Sequence, residues 1–127
     1  MTIAPDDLAR THAAAFTTAR LWSATEFTEL LASAFVFATG DATGFALGRV
    51  IADEAELLTL AVDPAHQRRG RGARQLAAFE REATKRGATT AFLEVAEDNT
   101  PALMLYRTAG YHHQATRDGN YARTGGK

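Results

Sequence analysis

Cysteine is absent from this chain, and its absence excludes several chemistries at once. Without thiols the protein can hold no disulfide, no thiolate zinc site and no cysteine nucleophile. Serine is nearly as scarce, because only Ser23 and Ser33 occur. Neither stands in a Gly-x-Ser-x-Gly turn, so the sequence disfavours a serine hydrolase.

The chain also lacks an excess of charge and a long apolar run. The 14 Lys and Arg residues nearly balance the 15 Asp and Glu residues, which leaves a formal net charge of -1. Bulk attraction to nucleic acid or to an anionic membrane is therefore not expected. No stretch approaches the run of about 18 apolar residues that a membrane helix needs. Asp6 and Asp7 stand where a signal peptide would be positively charged. We expect a cytoplasmic protein that contacts neither membrane nor nucleic acid directly.

The remaining composition is that of a globular protein. The chain has 127 residues, of which 46% are hydrophobic and 23% are charged. This is enough apolar surface for one core and hardly for two. No internal repeat or low-complexity linker divides the chain. The sequence therefore predicts a single domain over residues 1–127.

The spacing of apolar residues changes along the chain from helical to strand-like and back. Two helices are expected first, one after Pro5 and one capped by Ser23, whose partner Glu26 completes a capping box. The later elements are expected to be strands over 35–39, 45–51 and 57–62, a helix over 70–86, a strand over 89–95, a helix from Asn99 or Thr100 to Gly110, and a strand from Tyr111. Short connections make the first three strands an antiparallel meander. The long helix makes the third and fourth strands parallel neighbours, joined by a right-handed crossover.

The most distinctive segment lies between the third strand and the helix that follows. It reads Gln67, Arg68, Arg69, Gly70, Arg71, Gly72, Ala73. Glycines let backbone N–H groups approach a ligand closely, and a helix start attracts anions, so the segment is typical of a phosphate cradle. A solvated basic loop and a nucleic-acid patch remain alternatives at this point. The segment lacks the Lys and Ser or Thr of a Walker loop, and Gln75 stands where a dinucleotide fingerprint needs a third glycine.

This segment and its neighbours together resemble a known family. The quoted stretches are Leu60-Ala61-Val62-Asp63-Pro64 before it, and Leu93-Glu94-Val95, Asn99, Leu105-Tyr106 and Gly110-Tyr111 after it. In this succession, from about His12 to Gly119, the chain resembles the GNAT superfamily of acetyl-CoA-dependent N-acetyltransferases. Within that superfamily it is most similar to the branch that acetylates protein N-termini.

The resemblance implies an α/β fold with a GNAT-like mixed central sheet, an antiparallel meander plus a parallel crossover, flanked by helices. It implies acetyl-CoA as co-substrate and no metal. The strands over 57–62 and 89–95 are expected to splay apart, so that the cofactor's arm fills the gap. The residues that the resemblance assigns to acetyl-CoA are Leu60, Ala61, Val62, Gln67, Arg68, Arg69, Gly70, Arg71, Gly72, Ala73, Asn99 and Tyr106.

The resemblance assigns catalysis to Glu94 and Tyr106. A peptide α-amine has a pKa of about 8, so a base must take its proton before it attacks a thioester, and Glu94 suits that role. The departing thiolate has a pKa of about 8.5, and a phenol with a pKa near 10 can protonate it. Without the resemblance, Glu94 is a strand-end glutamate facing water, and Tyr106 is a core tyrosine beside Leu103 and Leu105.

The expected reaction is direct transfer to an amine, with backbone N–H groups near Val62 stabilising the developing oxyanion. The implied acceptor is the N-terminal amine of a protein, such as a small-subunit ribosomal protein. A small-molecule amine, a lysine side chain and a non-catalytic CoA-binding module remain alternatives. His112 and His113 are adjacent, so they face opposite sides of a strand and are expected at the surface or the substrate rim. Trp22 is expected to pack against Phe27 in a hydrophobic staple, with a place in the acceptor groove as the alternative.

The sequence departs from the family's pattern at its last residues. The family continues past the stretch that resembles 116–121 into a further strand, whereas this chain ends at Gly125-Gly126-Lys127. We therefore expect that strand to be missing and the sheet edge beside 111–115 to be open. Three explanations follow: a shortened chain, a disordered tail, or a partner that covers the edge. A monomer or a weak dimer through that edge is expected.

Overall fold

The elements confirm the predicted α/β architecture. The structure is a computed structural model and describes residues 4–15, 23–41, 43–63, 71–94, 100–113 and 120–124. In chain order the elements are α1 (Pro5–Ala15), α2 (Ala24–Leu31), β1 (Val36–Asp41), β2 (Gly44–Ile51), β3 (Glu54–Val62), α3 (Arg71–Lys85), β4 (Thr90–Glu94), α4 (Thr100–Thr108), β5 (His112–His113) and β6 (Asn120–Thr124). The strands form one mixed sheet in the order β1-β2-β3-β4-β6-β5.

The meander and the crossover are as predicted. β1 pairs antiparallel with β2, and β2 pairs antiparallel with β3. β3 then pairs parallel with β4 across the intervening helix α3. β3 begins earlier than the predicted 57–62 strand, because Ala55 pairs with Val50 and both side chains are buried.

Helices cover both faces of the sheet, and β2 lies between them. Phe45 and Leu47 pack with Leu8 of α1 and Phe27 of α2 in one buried cluster. The intervening Ala46 belongs to a second cluster on the other face, which α3 and α4 supply. A strand covered on both faces has no polar side over this stretch, which explains the consecutive apolar residues Phe45, Ala46 and Leu47.

The C-terminal strand is short but present, and this corrects the expectation that it is missing. β6 pairs antiparallel with β4 from Thr90↔Thr124 to Glu94↔Asn120. β5 pairs with β6 on its far side, so the predicted strand from Tyr111 is described over His112–His113 and stands at the edge of the described sheet. A monomer or a weak dimer through this edge stays a prediction.

The start of α2 confirms the predicted capping box. Ser23 Oγ accepts a hydrogen bond from the backbone N–H of Glu26 at 3.2 Å, and the backbone N–H of Ser23 donates to Glu26 Oε1 at 3.0 Å. Phe27, the next residue, is fully buried. Its predicted staple partner Trp22 lies outside the described residues.

No helix in the described ranges is long and apolar enough to cross a membrane.

Candidate active site

The parallel ladder between β3 and β4 is much shorter than β3 itself. Its register runs from Glu54↔Thr90 to Leu57↔Leu93, whereas β3 continues to Val62. Leu57 and Leu93 are both buried in the core under α3. Beyond this last pair, residues 58–61 have no β4 partner within the described part of the chain. Among the described residues, the two strands predicted to splay therefore pair over residues 54–57 and 90–93 and not beyond.

Three of the residues assigned to acetyl-CoA lie on the far part of β3. Leu60 is half-buried and packs against the cluster on the α3 face, whereas Ala61 belongs to the cluster under α1 and α2. Val62 is buried and pairs with Gly44 of β2. β2 thus holds this stretch of β3 from one side and fixes its backbone.

Helix α3 begins next to this stretch with the second half of the arginine-rich segment. Arg71, Gly72 and Ala73 form its first turn, which contains no acidic residue. Arg74 follows and is exposed. The N-terminal end of a helix carries a partial positive charge, and no carboxylate in this turn opposes it. A Cβ on Gly72 would lie 3.3 Å from Cδ2 of Leu105, so the start of α3 lies against α4.

Glu94 ends β4, and its Cα pairs with Asn120 of β6. Glu94, the residue predicted to act as base, is thus the last described residue of β4 and lies near the carboxyl end of the parallel pair. Ligands of open α/β sheets bind at that end of the strands. The orientation predicted for the Glu94 side chain falls outside the described residues, as do Gln67, Arg68, Arg69, Gly70, Asn99 and the side chain of Arg71.

Tyr106 lies on α4 in the core cluster that also holds Leu57 and Leu93. Its side chain is buried, with 7% of its surface exposed. Burial raises the pKa of Tyr106 to about 12, because an ionised phenolate would lose its hydration. The hydroxyl therefore remains a neutral donor throughout the neutral range. Tyr106 is therefore a core tyrosine, as its helix position predicts, and its hydroxyl is in the protonated form that the predicted acid role needs.

Tyr111 forms a contact with Tyr106 that the sequence does not reveal. The two rings stand edge to face, with centroids 6.0 Å apart and an interplanar angle of 66°. Tyr111 Oη donates a hydrogen bond to Glu80 Oε2 at 3.0 Å, and Arg123 Nη1 lies 3.2 Å from the same oxygen. Glu80 belongs to no sequence motif. The fold brings it together with Tyr111 and Arg123.

The remaining polar features lie away from this end of the sheet. A cleft of about 400 Å³ opens between α3 and the first residues of β4, with Thr84, Thr90 and Arg123 in its wall. Thr90 is the first residue of β4 and Glu94 the last, so the cleft is at the opposite end of the strand. His112 is exposed on β5, in agreement with its predicted place at the surface. No group of three His, Asp or Glu side chains in the described ranges is arranged to hold a metal ion.

The sequence comparison defines the class of protein that carries this site. Residues 4–111 match the acetyltransferase (GNAT) family, and the chain belongs to that family. Its curated relatives include the [ribosomal protein bS18]-alanine N-acetyltransferase of Escherichia coli strain K12, with 39% identity over 88 residues. That alignment covers 69% of this chain and 60% of the relative, so the match spans less than two thirds of the relative's length.

Solved structures share the fold. The crystal structure of the ribosomal-protein-S18-alanine N-acetyltransferase from Escherichia coli superposes with a TM-score of 0.76 and 27% identity, covering 93% of this chain and 84% of that one. An N-acetyltransferase from Thermoplasma acidophilum, solved in complex with coenzyme A, has the same fold with a TM-score of 0.69 and 19% identity. The superposition covers 95% of this chain and 87% of the Thermoplasma acidophilum chain.

Proposed function

We propose that residues 1–127 act as a single acetyl-CoA-dependent N-acetyltransferase domain that acetylates the N-terminal α-amine of a protein. The early end of the β3–β4 ladder is the observation that carries the proposal. β3 runs on from Leu57 to Val62, while Glu94, the last described residue of β4, pairs with Asn120 of β6 and not with β3. A strand held by one neighbour can offer backbone groups to an extended ligand on its other side. The pantetheine arm of acetyl-CoA is such a ligand.

The residues beside this gap fit the two ends of acetyl-CoA. The acid-free first turn of α3, with Gly72 and the exposed Arg74 close by, suits the diphosphate. Leu60, Ala61 and Val62 suit the pantetheine amides and the thioester carbonyl. When bound, acetyl-CoA supplies an acetyl group activated as a thioester, and this chain contains no cysteine to which that group could be transferred first. Transfer is therefore direct.

Glu94 and Tyr106 divide the proton transfers between them. Glu94 removes a proton from the acceptor ammonium, directly or through one water, and thereby frees the nitrogen lone pair for attack on the thioester carbon. The new C–N bond forms and the C–S bond breaks. Tyr106 donates its hydroxyl proton to the departing sulfur, and the acylated nitrogen loses its second proton, which returns Tyr106 to its neutral form through solvent. Glu94 releases its proton to solvent. A phenol with a pKa raised to about 12 by burial is protonated at every physiological pH, as this role requires.

An N-terminal alanine is the proposed acceptor residue, and a small-subunit ribosomal protein is the proposed partner. The support is the named activity of the Escherichia coli relative together with the family match over residues 4–111. A ribosomal substrate would place the reaction in the cytoplasm.

Thiol release from acetyl-CoA tests both the activity and the acceptor. Peptides that begin with alanine are compared with the same peptides blocked at the N-terminus but carrying a free lysine, and with small amines. Rapid release only with the free N-terminal alanine supports the proposal. Release with the blocked lysine peptide or with small amines assigns a different acceptor. Binding of coenzyme A without release on any amine would contradict catalysis and indicate a CoA-binding module.

Two conservative variants separate catalysis from binding. Glu94→Gln and Tyr106→Phe should each lower kcat by about a hundredfold, since a positioned general acid or base contributes on the order of 100 to 10,000-fold. Calorimetry should show coenzyme A binding unchanged in both variants. Glu29→Gln, on the exposed surface of α2, is the matched control and should keep full activity. Full turnover in Tyr106→Phe would contradict the proposed role of Tyr106 as the acid.

A further inference from the structure

Glu80 joins three elements of the fold through one carboxylate oxygen. Its Oε2 accepts a hydrogen bond from Tyr111 Oη at 3.0 Å and lies 3.2 Å from Arg123 Nη1 of β6. Glu80 belongs to α3, and its side chain is 23% exposed. A hydrogen bond from a buried phenol to a carboxylate is charge-assisted, and the ion pair with Arg123 restrains that carboxylate from the other side. We name this arrangement of Tyr111, Glu80 and Arg123 the Glu80 bridge.

The Glu80 bridge ends at the ring of Tyr106. Tyr111 is 1% exposed, and its ring stands edge to face with that of Tyr106 at 6.0 Å. The backbone N–H of Tyr111 donates to the carbonyl oxygen of Tyr106 at 2.9 Å. Gly110, between them, has a φ of +100°, and a Cβ there would lie 3.2 Å from Nε of Arg123. Tyr111 is thus fixed at its backbone, at its ring and at its hydroxyl.

The same carboxylate links helix α3 to the residue that packs on helix α4. The proposed reaction requires these two helices to keep a fixed relative position. α3 begins at the turn proposed to hold the diphosphate, and α4 carries Tyr106. A displacement of about 1 Å between a catalytic group and its target can cost about a hundredfold in rate. A contact from α3 to the residue that packs on Tyr106 restrains this displacement.

Resting on the proposed function, we infer that Glu80 is a positioning residue, which acts through Tyr111 to hold the Tyr106 hydroxyl against the leaving sulfur. Glu80 does not touch the substrate. Its loss should leave acetyl-CoA binding intact and lower the chemical step. A role in stability alone predicts a lower melting temperature with kcat unchanged for the folded protein.

Three variants and one control test the inference. Glu80→Ala and Tyr111→Phe remove the hydrogen bond, whereas Glu80→Gln keeps an oxygen that accepts from Tyr111. Glu82→Gln is the matched control, because Glu82 lies on the same helix and is also paired with an arginine, Arg86 at 2.9 Å. In an active wild type, Glu80→Ala and Tyr111→Phe should each lower kcat by about tenfold, with KM for acetyl-CoA within about twofold. Glu80→Gln should recover most of the loss, and Glu82→Gln should keep the wild-type kcat.

A second readout does not depend on turnover. Tyrosine side chains labelled with ¹³C give three ring signals, because the chain has three tyrosines. The Tyr106 signal is assigned as the one lost in Tyr106→Phe. It should move in Glu80→Ala and stay in place in Glu82→Gln. A Tyr106 signal that stays in place in Glu80→Ala overturns the inference, as does a kcat within twofold of an active wild type. A wild type that is inactive on every amine refutes the proposed function instead, and the ring signal still decides the packing claim.

Discussion

Phe79 of α3 lies directly over Gly48 of β2. A Cβ built on Gly48 would stand 2.5 Å from Cε1 of Phe79 and 2.8 Å from Cζ of Phe37. The Phe37 and Phe79 rings are stacked, with centroids 5.9 Å apart, and the β2–β3 register shifts between Leu47 and Gly48. The missing side chain thus makes room for the aromatic pair that joins α3 to the sheet.

Replacing Gly48 by alanine should destabilise the protein, because the new Cβ would overlap the fully buried ring of Phe79 and force it or the backbone to shift. Overpacking of this kind costs about 1 to 3 kcal/mol. Urea denaturation measures the loss. Gly44→Ala is the control, since the nearest atom to a Cβ there is 3.5 Å away and its φ is not left-handed. Equal losses in the two variants would contradict the close approach at Gly48.

Replacing Ser23 by alanine should lower the free energy of unfolding by about 1 kcal/mol, because the N–H of Glu26 would lose its side-chain acceptor. The loss is read from the denaturation midpoint. Thr25→Ala changes an exposed residue of the same turn and should be close to neutral. If both variants were neutral, the capping box would contribute nothing to stability.

Stability should fall at alkaline pH because of Tyr106. Its folded pKa of about 12 is above the unfolded value of 10.0, so its contribution is complete below pH 10 and is lost as the pH rises towards 12. By pH 11 the loss amounts to about 1 kcal/mol. Burial and the neighbouring Glu80 carboxylate raise the pKa of Tyr111 as well, which adds to the fall.

The variant Tyr106→Phe separates the contribution of Tyr106 to this pH dependence from that of Tyr111. The difference in unfolding free energy between wild type and this variant should shrink by about 1 kcal/mol between pH 9 and pH 11. Chemical denaturation at the two pH values measures it. A difference that is constant with pH would show that Tyr106 has an ordinary pKa.

Replacing Arg74 by alanine should weaken coenzyme A binding by about fivefold, because a cation near the start of α3 adds to the positive end of the helix. The weakening should shrink as salt concentration rises. Titration calorimetry gives both values. Arg81→Ala removes an exposed arginine two helical turns further along α3 and should bind coenzyme A as the wild type does. A similar loss in both variants would assign the effect to net charge rather than to the helix start.

Much of the fold was predictable because the sequence signals that define its helices, strands and connections lie in short stretches of the chain. The Ser23–Glu26 capping box and the connection between β3 and β4 follow from short stretches of sequence and from the handedness of crossovers. The strand β6 was missed, because residues 120–124 alternate weakly and contain only two β-formers, Tyr121 and Thr124. Its place between β4 and β5 depends on tertiary pairing, which the spacing of apolar residues in the sequence does not show.

The candidate site was predictable as a set of residue types and not as a set of contacts. Leu60, Gly72 and Tyr106 follow from the family's pattern, and their roles stay predictions; Leu60 lies on the part of β3 that has no β4 partner among the described residues. The bond from Tyr111 to Glu80 leaves no mark on the sequence, because the two partners are 31 residues apart and Glu80 stands in no motif. Long-range polar pairs of this kind have no periodicity.

The insertion of β6 between β4 and β5 makes two earlier strands depend on the last described one. β5 follows α4 directly, yet among the described residues its strand pairing is with β6. Removing Asn120–Thr124 would therefore expose the outer backbone edge of β4 and detach β5 from the sheet at the same time.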